Sequence, residues 1–309
     1  NRASSLRWRR TLTAKTAADL GARGKIKIKK IRKRRRAENI RLKNFFMNYW
    51  ASRDRNIKAA REHHEKMLRK YPEEIKKSTK NTIVYGGEGE SPERTAGESG
   101  NHTAVFWDKE TADAVVCARQ DCPDKKIAVL NFASYQNPGG KFLEGSSAQE
   151  ESLCHVSTLY ECLAAHPGYY EYNRTHKNDS LYTDRALYVP DVIFETEDGD
   201  KVFSDVITCA APNRRTYAKY FSSKFPDFDK RNREAMVSRV SFIRDIAEEN
   251  QVEFLILGAF GCGVFGQDQD EAAAIFQSVF SDTSIPHIIY AVPSKFSDKN
   301  AEAFRNICG

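Results

Sequence analysis

The segment Asn131–Glu151 (NFASYQNPGGKFLEGSSAQEE) constrains the fold of this 309-residue chain more than any other. It begins at the end of an apolar run, Ile127–Phe132, which is typical of a buried strand. A Pro-Gly-Gly turn and a loop of small residues follow, and the segment ends in two adjacent acids, Glu150 and Glu151. A glycine turn that a ligand can approach, followed by carboxylates at a helix start, predicts an acid/base site on a sugar phosphate. Alternatively, Gln149 and Glu150 only help to cap the helix. We call Asn131–Glu151 the signature segment.

A second glycine-rich segment lies between a predicted strand, Glu253–Leu257, and a helical pattern over Asp268–Phe280. This glycine loop, Gly258–Gly266 (GAFGCGVFG), can wrap a phosphate with backbone N–H groups near the positive end of the helix. It contains the G-x-G-x-x-G pattern of dinucleotide-binding folds. However, the next strand, His287–Val292, ends in Pro-Ser and offers no acidic residue for a ribose. A diphosphate cradle of another fold fits the loop better.

Predicted strands alternate with predicted helices from Thr103 to Val292, which indicates a mostly parallel or mixed sheet covered by helices. Helical spacing predicts a single helix over Gln149–Leu163 with an apolar core face. The polar aromatic insertion Thr216–Asp229 is predicted to form a loop at the rim of the site. Two further predictions are that Tyr169, Tyr170 and Tyr172 pack at the surface and that the His63-His64 pair is solvated on a charged helix.

Charge divides the chain into two parts. Residues 1–36 contain fifteen Lys or Arg and one Asp, a net charge of +14, whereas the whole chain carries +7, so residues 37–309 carry −7. We therefore predict a basic, flexible arm over residues 1–50 and a catalytic domain over residues 51–309. The run Lys25–Arg36 is typical of a nuclear address or a polyanion contact, and the alternative is a disordered tail without a single role.

Composition indicates the domain size and the cellular compartment, and it argues against a membrane helix and a metal site. The chain is 40% hydrophobic, which is enough for one large domain, and no run approaches the ~18 apolar residues of a membrane helix. No signal peptide is expected, because the basic N-terminus has no apolar stretch. The seven cysteines are odd in number and form no CxxC pair, which favours a reducing intracellular compartment. Neither cysteines nor histidines show zinc-like spacing, so no metal is expected.

The two glycine-containing segments together resemble the microbial-type poly(ADP-ribose) glycohydrolases, which are macrodomains. That family has an NPGGG turn followed by QEE, and a diphosphate loop similar to GAFGCGVFG. The resemblance spans roughly residues 60–300, with its motifs in consistent order. Further segments that carry it are Ser152–Leu163 (SLCHVSTLYECL), Leu187–Val192 (LYVPDV) and Asp205–Asn213 (DVITCAAPN).

The resemblance implies an α/β fold: a macrodomain-like three-layer α/β/α arrangement with a mixed, mostly parallel central sheet and an N-terminal helical extension. It also implies hydrolysis of ribose–ribose O-glycosidic bonds in poly(ADP-ribose), releasing ADP-ribose, without a cofactor. The expected partners are poly(ADP-ribose) or an ADP-ribosylated protein, bound by a monomer, with no membrane contact. Nucleic acid is a further possible partner of the basic arm. Nuclear residence and a part in the DNA damage response are expected from the Lys25–Arg36 run and from the implied activity.

The matching positions imply roles for individual residues. Glu151 is expected to act as the general acid and base, Glu150 to hold the ribose hydroxyls and Gln149 to set the loop. Because adjacent helical residues point ~100° apart, the two acids are expected to have distinct roles. The remaining implied contacts are Asn137, Gly139 and Gly140 with the distal ribose, Phe265 packed against that ribose or in ordinary core, and Gly258, Gly261, Cys262, Gly263, Val264 and Gly266 around the diphosphate.

One position departs from the family pattern, since Lys141 stands where the family has its third glycine. We expect its long cationic side chain either to crowd the sugar or to pair with a phosphate. This departure favours an alternative function, a reader that binds ADP-ribose without catalysis, whereas the two acids argue against it. A mono-ADP-ribosyl hydrolase acting on protein or nucleic acid is a second alternative. A third is an interaction protein that acts through its basic arm.

Overall fold

The computed structural model describes residues 52–87, 89–93, 102–196 and 198–308. The chain divides into two compact units, one of residues 1–55 and the other of residues 56–309. Only residues 52–55 of the first unit are described, so the predicted basic arm, including Lys25–Arg36, lies outside the described residues. The domain boundary near residue 50 therefore stays a prediction.

The second unit is built on one sheet of seven strands among the described residues, in the order β1-β4-β5-β3-β6-β7-β2. The five strands from β5 to β2 run parallel to one another, while β4 is antiparallel to both of its neighbours. The strands are β1 (Ile83–Tyr85), β2 (Thr103–Trp107), β3 (Ile127–Phe132), β4 (Ala186–Glu195), β5 (Lys201–Cys209), β6 (Phe254–Leu257) and β7 (His287–Ala291).

Helices cover both faces of this sheet. A first helix, α1, covers residues 52–70, and Pro72 begins the next one. The others are α2 (Pro72–Lys80), α3 (Thr111–Asp121), α4 (Gln149–Cys154), α5 (Leu159–Ala164), α6 (Pro167–Thr175), α7 (Arg214–Phe221), α8 (Phe228–Glu249), α9 (Gln269–Phe280) and α10 (Asp298–Asn306). Short 3-10 turns cover Phe142–Glu144 and Asn178–Ser180.

Two apolar clusters separate the three layers, and alternate residues of β3 supply both. Ala128 and Leu130 pack with α8, α9 and α10, whereas Ile127 and Val129 pack with helices α1 to α6 on the other face. Because successive strand residues point to opposite faces, a strand that is apolar throughout must be covered on both sides. The predicted three-layer, macrodomain-like fold with a mostly parallel sheet is confirmed.

The sheet topology fixes where a site can form. Strands β5, β3, β6 and β7 are adjacent and parallel, so their carboxyl ends meet at one edge of the sheet. The signature segment follows β3, and the glycine loop follows β6 beside it. In open α/β sheets, ligands bind at this edge, because the loops after the strands converge there.

The predicted single helix over Gln149–Leu163 is wrong, because residues 155–158 leave the helix between α4 and α5. There the backbone pairs with β4: Thr158 N–H donates to the Ile193 carbonyl at 3.0 Å, and Glu195 N–H donates to the Val156 carbonyl at 2.8 Å. These bonds to a distant strand replace the helical bonds. The break ends α4 after six residues, which carry the two acids and bury Leu153 and Cys154 in the core.

The predicted rim loop over Thr216–Asp229 is also wrong for most of its length. Residues 214–221 form α7, whose first turn is capped by the Asn213 side chain accepting from Thr216 N–H at 2.9 Å. Helix α8 begins at Phe228, which leaves only residues 222–227 between the two helices.

Two predictions of surface side chains need correction. Tyr169 and Tyr170 are 4% and 1% exposed, because α6 turns them into the core on the α1–α6 side of the sheet. His63 and His64 are half-buried. The His63 ring lies 3.0 Å from the Ser157 carbonyl, and the His64 ring pairs with a carboxylate of α5 at 2.8 Å. Helix α1 therefore packs against the chain that follows α4.

Candidate active site

The Gly139-Gly140 turn holds a conformation that favours glycine. Both residues have positive φ, +61° and +59°. A Cβ atom on Gly140 would lie 2.5 Å from the Glu151 Oε1 and 2.9 Å from the Glu150 Oε2, closer than carbon and oxygen can approach. The two carboxylates therefore converge on one point of the turn, although adjacent helical positions predict that they diverge.

Gln149 attaches the start of α4 to the end of β3. Its Oε1 accepts from the Phe132 N–H at 2.8 Å, and its Nε2 donates to the Leu130 carbonyl at 3.0 Å. The side-chain amide thus pairs with the strand as a neighbouring backbone would, which orders the helix relative to the sheet. Gln149 acts on the position of the acids through the backbone.

Glu150 is a buried carboxyl group, 2% exposed. Its Oε2 accepts from the Ser134 N–H at 2.7 Å and its Oε1 from the Asn131 side chain at 3.2 Å. Burial raises the pKa of Glu150 to about 8, the Glu151 charge adds to the rise, and the two donors act in the opposite direction. Desolvation therefore outweighs hydrogen bonding here, and Glu150 holds its proton at neutral pH.

Glu151 is 6% exposed, and its Oε1 accepts from the Lys141 backbone N–H at 2.9 Å. The Lys141 side chain is 66% exposed, and its Nζ lies 3.8 Å from the Glu144 carboxylate. Only the backbone of Lys141 reaches the acid, so crowding of the sugar or pairing with a phosphate by its side chain stays a prediction. The φ of Lys141 is −116°, which any L residue adopts, so this position does not require glycine.

The glycine loop offers hydrogen-bond donors to a ligand. Within the described chain, the backbone N–H groups of Gly263, Val264 and Phe265 have no acceptor. A Cβ on Gly263 would meet no atom within 4 Å, and Val264 is 66% exposed. Successive free amides of this kind form a concave anion site.

The positive end of α9 contributes less to this site than the sequence suggests. The Asp268 side chain accepts from the N–H groups of Asp270 and Glu271 and caps the helix. The free donors therefore belong to the loop itself. Cys262 does not present its thiol to a ligand, because the Sγ turns toward the Phe260 carbonyl at 3.7 Å and burial raises its pKa to about 12.

The other glycines of the loop serve packing. A Cβ on Gly258 would lie 2.8 Å from the Ala291 carbonyl oxygen. Gly261 has a φ of +78°, and a Cβ there would lie 2.8 Å from the Gln267 side chain. Gly266 has a φ of +71° and lies against Arg215. Only Gly263 of the four faces open space.

An aromatic group that sequence reasoning missed joins the signature segment to the glycine loop. Tyr182 stacks on Tyr135 with ring centroids 4.1 Å apart and meets Phe265 edge-on at 6.0 Å. Phe265 is half-buried and packs both against this group and against the core on the α8–α10 side of the sheet. Tyr182 lies in an irregular stretch without periodicity, so no sequence signal identified it. Asn137 is exposed at the turn, where its carbonyl accepts from the Gly140 N–H at 3.1 Å.

A cavity of about 420 Å³ adjoins the glycine loop, between the ends of β6 and β7 and the starts of α3 and α4. It was not predicted, because its lining comes from separated segments. Neither Glu150 nor Glu151 lines it. Phe296, which is 73% exposed, and Phe132 and Phe265 supply aromatic surface, and Asp113 and Asn300 supply polar groups. An aromatic cavity with a few polar groups suits a flat heterocycle.

Neither a metal-ligand cluster nor a membrane-spanning helix is found among the described residues. They contain no group of three or more His, Cys, Asp or Glu that could hold a metal ion. They also contain no helix with the length and apolar character needed to cross a membrane. The seven cysteines are free thiols.

Comparison with known proteins places this geometry in a family. Residues 56–196 match the catalytic domain of microbial-type poly(ADP-ribose) glycohydrolases. No curated protein sequence matches the chain at a significant level. Among solved structures, the poly(ADP-ribose) glycohydrolase of Thermomonospora curvata bound to the inhibitor ADP-HPD superposes with a TM-score of 0.70 at 25% identity, over 82% of this chain and 99% of that one.

The poly(ADP-ribose) glycohydrolase of Deinococcus radiodurans in complex with ADP-ribose superposes with a TM-score of 0.65 at 28% identity. That match covers 75% of this chain and 96% of the other. The residues matched by the family include the signature segment with its converging acids. Residues 56–196 therefore carry the catalytic domain of the microbial-type poly(ADP-ribose) glycohydrolase family, and the structural similarity to these enzymes extends over 75–82% of the chain.

Proposed function

We propose that this enzyme hydrolyses the ribose–ribose O-glycosidic bond of poly(ADP-ribose) with Glu151 as general acid and base. One observation carries the proposal: two buried carboxylates converge on the Gly140 backbone, next to a loop of free amide donors. The solved relatives bind ADP-ribose or the inhibitor ADP-HPD. Such ligands need both a sugar site and an anion site, and in this protein the two acids and the glycine loop offer these sites.

The substrate lies along the edge of the sheet in a defined direction. The adenine enters the 420 Å³ cavity, where Phe296 offers an exposed ring. The diphosphate binds the free N–H groups of Gly263, Val264 and Phe265. The distal ribose then reaches the Gly139-Gly140 turn and the two acids. Phe265 packs against this ribose from its position beside Tyr182.

Bond cleavage needs a proton on the leaving oxygen and a water on the sugar carbon. The Glu151 carboxyl group gives its proton to the 2′ oxygen of the neighbouring unit as the bond from that oxygen to C1″ breaks. The resulting Glu151 carboxylate takes a proton from the water that attacks the oxocarbenium-like C1″. The carboxyl group is thereby restored, and ADP-ribose is released.

Glu150 positions the sugar in this scheme. Its raised pKa of about 8 keeps a proton on the group at neutral pH, so it can donate to a ribose hydroxyl as well as accept from one. A neutral neighbour also places no further negative charge beside the carboxylate that forms when Glu151 gives up its proton. The two adjacent acids thus take distinct roles because their surroundings differ.

The test is release of ADP-ribose from purified poly(ADP-ribose) by the intact chain and by Glu151→Gln. We expect release to fall by about 100-fold or more, because positioned acid/base groups contribute ~10²–10⁴. ADP-ribose binding, measured by calorimetry, should persist. No release by the intact chain despite binding would instead indicate a reader. Release only from mono-ADP-ribosylated protein would indicate a hydrolase of single units.

The basic arm has a separate proposed role. The Lys25–Arg36 run directs the protein to the nucleus, in keeping with a function in the DNA damage response, and the arm binds polyanions such as nucleic acid. The catalytic domain acts as a monomer. Unchanged localisation after deletion of residues 1–36 would exclude the nuclear role, and sedimentation of the intact chain tests the monomer.

A further inference from the structure

A basic surface lies on α7, the start of α8 and the turn between them. Residues 214–233 contain seven Lys or Arg and two Asp, a net charge of +5, within a region that is −7 over residues 37–309. We call this the α7–α8 surface and define it by the side chains of Lys219, Tyr220, Lys224 and Arg231. Lys219 and Lys224 are exposed, and Tyr220 is 62% exposed.

The cations of this surface are not neutralised by acids. Among the described residues, no carboxylate lies within ion-pair distance of Lys219, Lys224 or Arg231. Each lies over an aromatic ring instead: Lys219 Nζ is 4.7 Å from the Tyr220 centroid, and Arg231 Cζ is 3.8 Å from that of Phe225. Lys224 Nζ lies 5.0 Å from the same Phe225 centroid. An aromatic ring holds a cation in place but leaves its charge available to an anion.

Stacked rings support this surface from below. Tyr217 is fully buried and stacks on Phe228 with centroids 4.8 Å apart. It also stacks on Phe221 and Phe225 at 6.0 and 6.1 Å. This aromatic group ties α7 to α8 across the intervening turn. The surface cations are therefore presented by a packed base, which lowers the entropy lost on binding.

Helix α7, which carries Lys219 and Tyr220, starts beside the glycine loop. The Arg215 N–H donates to the Phe265 carbonyl at 2.8 Å, and the Arg215 guanidinium donates to the Gly263 carbonyl at 3.3 Å. Helix α7 follows β5, whereas most of the 420 Å³ cavity lies at the ends of β6 and β7, with Phe132 of β3 and Ala211 after β5 also in its lining. The sheet order places β3, whose end leads to the acids, between β5 and β6. Helix α7 therefore starts on the β5 side of β3, and most of the cavity lies on its β6 and β7 side.

This arrangement gives the polymer a direction, on the basis of the proposed function. With adenine in the cavity and the distal ribose at Glu151, the bond to be cleaved joins that ribose to the next unit. The rest of the chain then leaves toward β5 and α7, away from the part of the cavity at the ends of β6 and β7. Each further unit carries a diphosphate and an adenine.

We propose that the α7–α8 surface is a second subsite, which binds the next unit of the poly(ADP-ribose) chain beyond the cleaved bond. Lys219, Lys224 and Arg231 neutralise its diphosphate, and Tyr220 stacks on its adenine. Basic residues interleaved with exposed aromatic rings bind single-stranded polyanions through these two contacts. Poly(ADP-ribose) is favoured over nucleic acid because the helix that carries Lys219 and Tyr220 starts beside the glycine loop.

The test compares Lys219→Glu/Lys224→Glu with the intact chain on two substrates. One is long poly(ADP-ribose), and the other is a single ADP-ribose joined at C1″ to a small aryl alcohol, which cannot reach α7. We expect kcat/KM to fall by about tenfold or more on the polymer and to change by less than about twofold on the aryl substrate. The salt dependence on the polymer should also weaken. Lys58→Glu/Lys76→Glu, on exposed positions of α1 and α2, is the control of equal charge change and should leave both substrates unaffected.

Tyr220→Ala tests the stacking contact without a change of charge. We expect a loss of about tenfold in polymer affinity, as for one stacked base, and no change in ADP-ribose affinity. Because polymer affinity can be measured in the Glu151→Gln background, the subsite is tested even if catalysis fails. Equal losses on both substrates, or none on the polymer, would overturn the proposal. So would a loss of single-stranded RNA binding with polymer binding unchanged, which would assign the surface to nucleic acid.

Discussion

The Gly139-Gly140 turn and the glycine loop Gly258–Gly266 follow neighbouring strands at the same edge of the sheet, but different groups fill the space beside them. The protein's own carboxylates occupy the space beside Gly140. Beside Gly263 the space is open, and the amides there have no acceptor in the described chain. Glycine is thus required in one turn by internal packing, whereas in the other turn we propose that the open space beside Gly263 serves the ligand.

The two turns meet two different requirements of an active site, namely acids that are fixed in position and hydrogen-bond donors that are free. The acids must be held in one geometry before the substrate arrives, because small displacements of reacting groups cost large factors in rate. The diphosphate needs donors that are free until it binds. We therefore expect changes at Gly140 to act on catalysis and folding together, and changes at Gly263 to act on binding alone.

The largest effect is expected for Gly140→Ala. A positive φ costs a non-glycine residue about 1–3 kcal/mol, and the new Cβ displaces both carboxylates. Activity on poly(ADP-ribose) should fall by about 100-fold or more, with a lower melting temperature. Gly168→Ala, in α6 with no atom within 4 Å of the added Cβ, is the matched control and should be neutral or slightly stabilising. Full activity of Gly140→Ala would mean that the turn does not position the acids.

The second prediction concerns the protonation of Glu150 beside the Gly139-Gly140 turn. Glu150→Gln tests it through the pH dependence of folding stability. Unfolded, this group ionises near its ordinary pKa of 4.5, whereas burial raises the folded value to about 8. Between these values the folded state holds the proton and the unfolded state does not, so the folded protein loses stability as pH rises. The variant cannot ionise and should gain stability over the parent from pH 5 to pH 8, by about 2 kcal/mol or more at pH 8.

Urea unfolding at several pH values measures this gain. Glu302→Gln, at an exposed position of α10, provides the control. If parent and Glu150→Gln lost stability in parallel as pH rises, Glu150 would be ionised in the folded enzyme at neutral pH. Its proposed role as a neutral positioning group would then be wrong.

A smaller effect, confined to binding, is expected for Gly263→Val. The site has room for the side chain, so the free energy of unfolding should change by less than about 0.5 kcal/mol. The branched side chain covers the neighbouring amides, and ADP-ribose affinity should weaken by about 10- to 100-fold, the value of one hydrogen bond or so to a charged group. Gly263→Ala should have a lesser effect in the same calorimetric titration. Unchanged affinity in both variants would place the diphosphate elsewhere.

The smallest effect is expected for Lys141→Gly, which restores the family residue. The backbone N–H that contacts Glu151 is kept, and the lost side chain is mostly exposed. We expect kcat on poly(ADP-ribose) to stay within about twofold and stability to fall by at most ~1 kcal/mol, the entropic cost of glycine. A large rise in activity would show that the lysine obstructs the site after all.

Much of the site follows from local sequence. The strand before the signature segment, the acids at the start of α4 and the glycine loop after β6 all lie where the sequence predicts them. Local patterns succeed there because a strand, a turn and a helix start depend on residues close together in the chain.

Features made by distant residues were not predictable. Helix α4 ends early because residues 155–158 pair with β4, which the periodicity of Gln149–Leu163 cannot show. Tyr182 joins Tyr135 and Phe265 only when three loops meet. The high pKa of Glu150 likewise depends on how completely the fold encloses it. Helix α7 was not predicted because its aromatic residues pack mainly on one another and on α8. In the sequence they therefore resemble an aromatic loop.

The bond from the Phe132 N–H to the Gln149 side chain has a consequence for how the site opens. The last amide of the central strand β3 is protected by a side chain of α4, so it exchanges with solvent hydrogen only when that helix separates from the strand. Its neighbours in β3 are protected by the sheet itself and exchange only on wider unfolding. The exchange rate of this single amide therefore reports how often the acid-bearing helix detaches while the rest of the domain stays folded.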